Sequence, residues 1–148
     1  MDQGLENLKI REIRLEDADQ IGKIQSAIIK SGPDVDFKRI IGEQLSEMEH
    51  ASFVAEVEGK VVGYMITYVI YGGFGIEKSA WIATLGVDPR FMGQGIGRRL
   101  FQKIMEVYKE KKVEYIFTSV RWDAADLLSF FKTLGFDRSS FINLRKKL

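Results

Sequence analysis

The chain has no cysteine in its 148 residues. Disulfides, thiolate metal ligands and a cysteine nucleophile are therefore excluded. There is a single histidine, His50, so a centre built on several imidazoles is impossible, and His50 itself reads as a solvated residue at a helix end. Only two prolines occur, Pro33 and Pro89. Both read as breaks: Ser31-Gly32-Pro33-Asp34 ends a helix, and Asp88-Pro89 stops an apolar run, because proline cannot donate to a ladder. Neither charge sign dominates. With 22 basic and 21 acidic residues the formal net charge is +1, which carries no electrostatic footprint for nucleic acid. Lys109, Lys111 and Lys112 cluster, but Glu106, Glu110 and Glu114 interleave them, the pattern of a solvated helix face. No hydrophobic run reaches membrane length, the first eight residues lack a basic-then-apolar signal, and no Gly-x-Ser-x-Gly elbow is present. A hydrophobic share of 45% is that of an ordinary globule. The expectation is a cytoplasmic protein with a single domain over residues 1–148.

Periodicity supplies the elements. Residues 8–13 alternate apolar and charged and predict a strand. Glu16-Asp17 opens a helix whose stripe is Ile21, Ile24 and Ile28. A second helix is predicted over residues 36–49, with Phe37, Ile40, Ile41, Leu45 and Met48 on one face. Residues 52–57 and 61–70 are strands joined by Glu58-Gly59-Lys60, a hairpin turn. Gly72, Gly73 and Gly75 form a flexible connection to a strand over 79–87. A helix follows, with Ile96, Leu100, Ile104 and Tyr108 on one face. Residues 115–120 are a buried strand, 124–134 a helix closed by Gly135 in a left-handed cap, and 141–147 a last strand. The early antiparallel hairpin argues against a plain doubly wound sheet.

The organising stretch is Leu85-Gly86-Val87-Asp88-Pro89-Arg90-Phe91-Met92-Gly93-Gln94-Gly95-Ile96-Gly97-Arg98-Arg99-Leu100. Strand, glycine-rich turn and helix start together form a phosphate-holding device. Glycine lets the backbone approach a ligand, and the first helical N–H groups point at an anion. Arg98 and Arg99 oppose the helix dipole unless an anion lies nearby. A P-loop needs Gly-Lys-Ser/Thr, and the chain has Gly97-Arg98-Arg99. A dinucleotide fingerprint needs a third glycine where Arg98 stands. An ordinary glycine-rich turn is the plainer alternative.

Val87-Asp88-Pro89 followed by Met92-Gly93-Gln94-Gly95-Ile96-Gly97 resembles the acetyl-CoA loop of the GNAT superfamily of N-acetyltransferases. Met92 stands where the family has Arg or Gln. A second stretch, Leu128 to Phe136, resembles the family's apolar-Tyr-x-x-x-Gly-Phe segment, with Phe131 in place of the tyrosine and Ala124 in place of an asparagine seven positions earlier. The resemblance spans about residues 9–136. It implies an α/β fold with a mixed, twisted sheet and helices on both faces. It also implies acetyl-CoA as cosubstrate, with the pyrophosphate on the amides of Gly93, Gln94, Gly95, Ile96, Gly97 and Arg98. The thioester would lie beside Leu85-Gly86-Val87, where a bulge supplies amides to the carbonyl oxygen, and the pantetheine arm would lie between that strand and the strand at 115–120, walled by Phe131. Gly86 fits a bulge or a close ligand approach, or packing against a helix.

The implied reaction is acetyl transfer to a primary amine, small-molecule or protein, with no metal. Many relatives place a glutamate where Ala83 stands, and their tyrosine acid is Phe131 here. Asp123 is the candidate base or water holder, or else a helix N-cap. Tyr68 and Tyr71 could reach the acceptor, though packing is their plainer role. Asp34 and Asp36 could attract a cation, or serve as turn and cap residues. The alternative function is a CoA-binding module with weak or lost catalysis and a sensing or assembly role. The short tail suggests a homodimer that closes the region a longer one would cover.

Overall fold

The computed structural model describes residues 6–29, 35–47 and 49–148. The expected break at 31–34, with candidate Asp34, lies outside them, as does Met48. The chain forms two compact units, Met1–Phe117 and Thr118–Leu148.

In the first unit the elements are β1 (Leu8–Glu12), α1 (Ala18–Ile28), α2 (Phe37–Leu45), β2 (Phe53–Val57), β3 (Lys60–Tyr71), β4 (Lys78–Val87), α3 (Ile96–Glu110) and β5 (Tyr115–Thr118), whose last residue crosses the boundary. The strands lie in sequence order, β1-β2-β3-β4-β5, and the first three pairings are antiparallel. The sheet is open, mixed and twisted, as the sequence predicts. The β2–β3 turn has positive φ at both Glu58 and Gly59, the two-residue geometry that matches strand twist. The β3–β4 connection is a structured turn rather than a loose one. Gly72 is left-handed, Gly73–Gly75 form one 3-10 turn, and the Gly72 N–H donates to the Glu77 carbonyl at 3.0 Å.

Alternation along β3 assigns the two faces of the sheet. Tyr64 and Ile66 face α1 and α2, where Ile21, Ile24, Phe37 and Ile41 bury against them. Gly63 faces α3, whose buried stripe is Ile96, Leu100, Phe101, Ile104 and Tyr108. The predicted stripe of α3 is thus the observed one. The stripes of α1 and α2 are shorter than predicted. Ile28 and Leu45 are exposed, and α2 stops at Leu45 rather than near 49. With the helix ending there, His50 is not a solvated helix terminus. It is half-buried in the approach to β2, and among the described residues its Nδ1 finds no hydrogen-bond partner.

A charged knot closes the β1 side. Arg11 grips both Asp17 carboxylate oxygens, at 2.8 and 2.9 Å, and reaches Glu56 at 2.6 Å. The Arg14 N–H donates to Asp17 at 2.8 Å.

In the second unit α4 (Ala125–Thr133) ends in a Schellman cap at left-handed Gly135. The Phe136 N–H donates to the Phe131 carbonyl, and the Gly135 N–H to that of Lys132. The predicted last strand does not form: residues 141–147 make no ladder. Their apolar side chains, led by Ile142 and Leu144, are exposed, so no hydrophobic face fixes a strand register there.

Asp17 is nearly fully buried, and truncating it takes two of Arg11's bonds, leaving Glu56 as its acidic partner, and removes the acceptor of the Arg14 N–H. Asp17→Ala is expected to cost about 2–4 kcal/mol, read as a lower urea midpoint with an unchanged slope.

Candidate active site

Two irregularities frame the end of β4. In the β2–β3 ladder the register skips Val62, and in the β3–β4 ladder it skips Ala83. Between them lie four uninterrupted pairs: Gly63 with Val87, Tyr64 with Gly86, Met65 with Leu85, and Ile66 with Thr84. The expected bulge at Leu85-Gly86-Val87 is therefore displaced to Ala83, which is exposed. Gly86 does pack closely, but against the ring of Tyr64 on the adjacent strand and not against a helix. A Cβ there would stand 2.8 Å from Tyr64 Cε1.

The Val62 carbonyl accepts the N–H of Asp88, the first residue past β4, at 2.8 Å. The Asp88 carboxylate accepts from the Arg90 N–H and guanidinium, and Arg90 holds that carboxyl below the usual range. One 3-10 turn, Pro89–Phe91, then leads to Gly93 and Gly95, with φ of 79° and 81°. Gly95 is the N-cap of α3, and no side chain caps the helix. Its carbonyl accepts the first helical bond, from the Arg99 N–H at 3.1 Å, so Ile96 and Gly97 have no acceptor within the helix. Gly97 is an ordinary helical residue and needs no special φ.

The loop leaves open space at its glycines. Among the described residues, chain neighbours apart, no atom lies within 4 Å of where a Cβ on Gly93 or Gly95 would be. Gln94 is half-buried, and its Oε1 has no hydrogen-bond partner among the described residues.

The helix start is held against the sheet by close approach. A Cβ on Gly63 would stand 2.9 Å from Ile96 Cγ2 and 3.5 Å from Leu100 Cδ1. At the other end of α3 the Tyr108 hydroxyl meets Thr67 Oγ1 at 2.6 Å. Gly63, Tyr64 and Thr84 were not singled out in the sequence. A glycine inside the apolar run Val61-Val62-Gly63-Tyr64-Met65 is the signal that could have marked the first of them.

The profile of the acetyltransferase (GNAT) family matches residues 13–136. The chain belongs to that family. The N-alpha-acetyltransferase of Sulfurisphaera tokodaii is 33% identical over 86% of this chain and 79% of its own length. That of Sulfolobus acidocaldarius is 29% identical over 88% and 80%. Among solved structures, aminoglycoside acetyltransferase AAC(6')-Iy, in complex with a bisubstrate CoA analogue, is similar with a TM-score of 0.79 at 16% identity, covering 95% of this chain and 98% of its own. An aminoglycoside acetyltransferase from an uncultured soil metagenomic sample gives 0.78 at 24% identity, covering 97% and 99%. The chain is an acetyltransferase, and among its described residues no helix is long and apolar enough to cross a membrane.

The acetyltransferase keeps its cofactor-loop candidates together. Leu85, Gly86, Val87, Met92, Gly93, Gln94, Gly95, Ile96, Gly97 and Arg98 follow one another along the strand end, loop and first helical turn. Asp123 and Phe131 lie in the second unit. Asp123 is exposed and bound by Arg121 through both oxygens at 2.9 Å, which lowers its carboxyl pKa and weakens it as a base. It does not cap α4, whose N-cap is Ala124. Phe131 is buried, edge-on to Phe130 and Phe136. Tyr71 pairs with Lys78, nine residues before Val87 and about 30 Å along the strand. Its hydroxyl donates to Glu49, which pushes its pKa up to about 12. Tyr71 is thus remote from the loop. Tyr68, three residues before it, is half-buried opposite Trp81. Asp36 is the N-cap of α2, accepting from the Arg39 N–H.

Gly95→Ala places a Cβ in the left-handed region, at about 1–2 kcal/mol, and at the helix start where an anion would rest. The variant is expected to stay folded while acetyl-CoA affinity falls at least about 10-fold, measured by calorimetry.

Proposed function

We propose that the chain transfers the acetyl group of acetyl-CoA to a primary amine, and that the amine is an α-amine. The observation that carries the first half is the uncapped helix start behind left-handed Gly93 and Gly95. It supports pyrophosphate binding by Gly93, Gln94, Gly95, Ile96, Gly97 and Arg98. Alternate N–H groups of a strand face away from any one neighbour, and in residues 85–87 such groups would polarise the thioester carbonyl. The family profile spans both compact units, which supports reading residues 1–148 as one catalytic domain.

The acceptor class follows from what is missing. Position 83 is an alanine, and Asp123 is neutralised by Arg121, so neither offers a strong base. A lysine amine, with pKa about 10.4, must lose about 4–5 kcal/mol to be neutral at pH 7. An α-amine, near 7.7–8.0, loses only about 1–1.4 kcal/mol. The N-alpha-acetyltransferase names of the sequence relatives agree with that economy.

Because the chain has no cysteine, a thiol reagent reports released CoA without background. The expected outcome is faster release with a lysine-free peptide bearing a free α-amine than with an N-blocked lysine peptide or an aminoglycoside. Preference for either of the latter rejects the α-amine. Acetyl-CoA binding without release by any amine would favour the binding-module alternative, which Phe131 and Ala83 support. The exposed Phe141, Ile142 and Leu144 support self-association of two copies. Light scattering at micromolar concentration is expected to give a dimer mass.

A further inference from the structure

Gln20 lies outside the site described so far. It is half-buried in the first turn of α1, and its Oε1 accepts the Val61 N–H at 2.9 Å. That N–H needs an acceptor from outside the sheet. Val57 and Lys60 close the β2–β3 hairpin, and antiparallel pairs alternate between hydrogen-bonded and open ones. In the next pair, Glu56 with Val61, the Val61 N–H therefore points away from β2. On that side β4 has already ended, because its last residue, Val87, pairs with Gly63. Val61 is only 5% exposed, and a buried N–H left without an acceptor is costly.

Val61 is joined to Val62, the residue that the β2–β3 register skips. A bulge frees one residue from its ladder, and the Val62 carbonyl accepts the Asp88 N–H at 2.8 Å instead. Asp88 starts the loop: its carboxylate accepts from the Arg90 N–H at 2.9 Å and caps the turn Pro89–Phe91. Helix α1 packs against that same turn. Consecutive links thus run from α1 to the loop, through Gln20 and Val61, Val62 and Asp88, and Asp88 and Arg90. Their base is firm, since the N-cap of α1 is Asp17, which Arg11 holds by both carboxylate oxygens.

We infer that Gln20 is a positioning residue for the cosubstrate loop: by holding the Val61 N–H it fixes the bulge at Val62, whose carbonyl seats Asp88 and the turn that leads to Gly93 and Gly95. The need is local to this point of β3. A residue beside a bulge lacks the regular ladder that would otherwise set its backbone direction, so the aim of the Val62 carbonyl depends on what holds Val61. Without the Gln20 amide, the Val61 N–H must turn toward another acceptor, and the adjoining bond to Asp88 is the one such a turn disturbs. The loss falls on binding of the cosubstrate rather than on chemistry. Residues 85–87, beside which the thioester is expected, keep their own ladder pairs with residues 63–65, and a change that weakens binding alone raises KM and leaves kcat.

The inference rests on the acetyl-CoA reading, and the experiment keeps the two apart. Acetyl-CoA binding by the unaltered chain is measured first by calorimetry, and no binding overturns that reading itself. With binding established, Gln20→Met keeps an unbranched helix-forming side chain but removes the acceptor. It is expected to raise the acetyl-CoA Kd and KM about 10-fold, the worth of one ordinary hydrogen bond, with kcat at saturation nearly unchanged. Gln20→Glu keeps an oxygen that accepts from an N–H and is expected to return Kd to within about 3-fold of the unaltered chain. An unchanged Kd in folded Gln20→Met, a loss confined to kcat, or an equal loss in Gln20→Glu would overturn the inference. Should Gln20→Met fail to fold, amide hydrogen exchange on the unaltered chain decides the matter. Linkage requires bound acetyl-CoA to slow exchange at Val61 and Asp88 together, and an unchanged rate at Val61 overturns the inference.

Discussion

Ile96 occupies the space that a side chain on residue 63 would fill, and the candidate site hangs from that contact. With Cγ2 only 2.9 Å from the Gly63 Cβ position, the first turn of α3 sits as close to the sheet as backbone and methyl allow. Two further links fix the geometry around it. The Val62 carbonyl holds the Asp88 N–H where β4 ends, and the Tyr108 hydroxyl meets Thr67 at the far end of the helix. The uncapped N–H groups at the helix start are therefore presented from a rigid base.

A site made of backbone is tolerant of side-chain change. Met92 departs from the family pattern without altering the left-handed conformations of Gly93 and Gly95 that define the loop. Residues that act through their own chemistry have no such tolerance. In the proposed reaction Ala83 and Phe131 offer no ionisable group, which would leave the work to the strand amides and to the acceptor's own acidity. A general acid or base typically contributes about 10² to 10⁴-fold. That is within what an amine of lower pKa and well-aimed strand amides can offset. Solved aminoglycoside acetyltransferases share this fold, and a fold by itself does not fix the acceptor.

The aromatic and polar groups behind the sheet do a different job. Tyr64 spans from Phe37 at the start of α2 to Gly86 on β4. Packing on the α1–α2 face is thereby coupled to the strand beside which the thioester is expected. The charged knot of Arg11, Asp17 and Glu56 lies farther out and ties the turn before α1 to β1 and β2. Its contribution is to stability, as the burial of Asp17 indicates.

Local signals were legible wherever one residue's chemistry decides its own conformation. The hairpin at Glu58-Gly59, the stop at Asp88-Pro89, the cap at Gly135 and the stripe from Ile96 to Tyr108 all read directly from the sequence, because backbone dihedrals and helical periodicity are short-range properties. The glycine loop ahead of α3 was legible for the same reason. What escaped depends on residues distant in the chain. The skipped Ala83 and the meeting of Tyr64 with Gly86 and of Ile96 with Gly63 are matters of register and side-chain reach, which no periodicity encodes. The segment at 141–147, which joins no ladder, failed as a strand on the same ground. Alternation can nominate a strand, but only a neighbouring edge with its own free hydrogen-bonding groups can make it one.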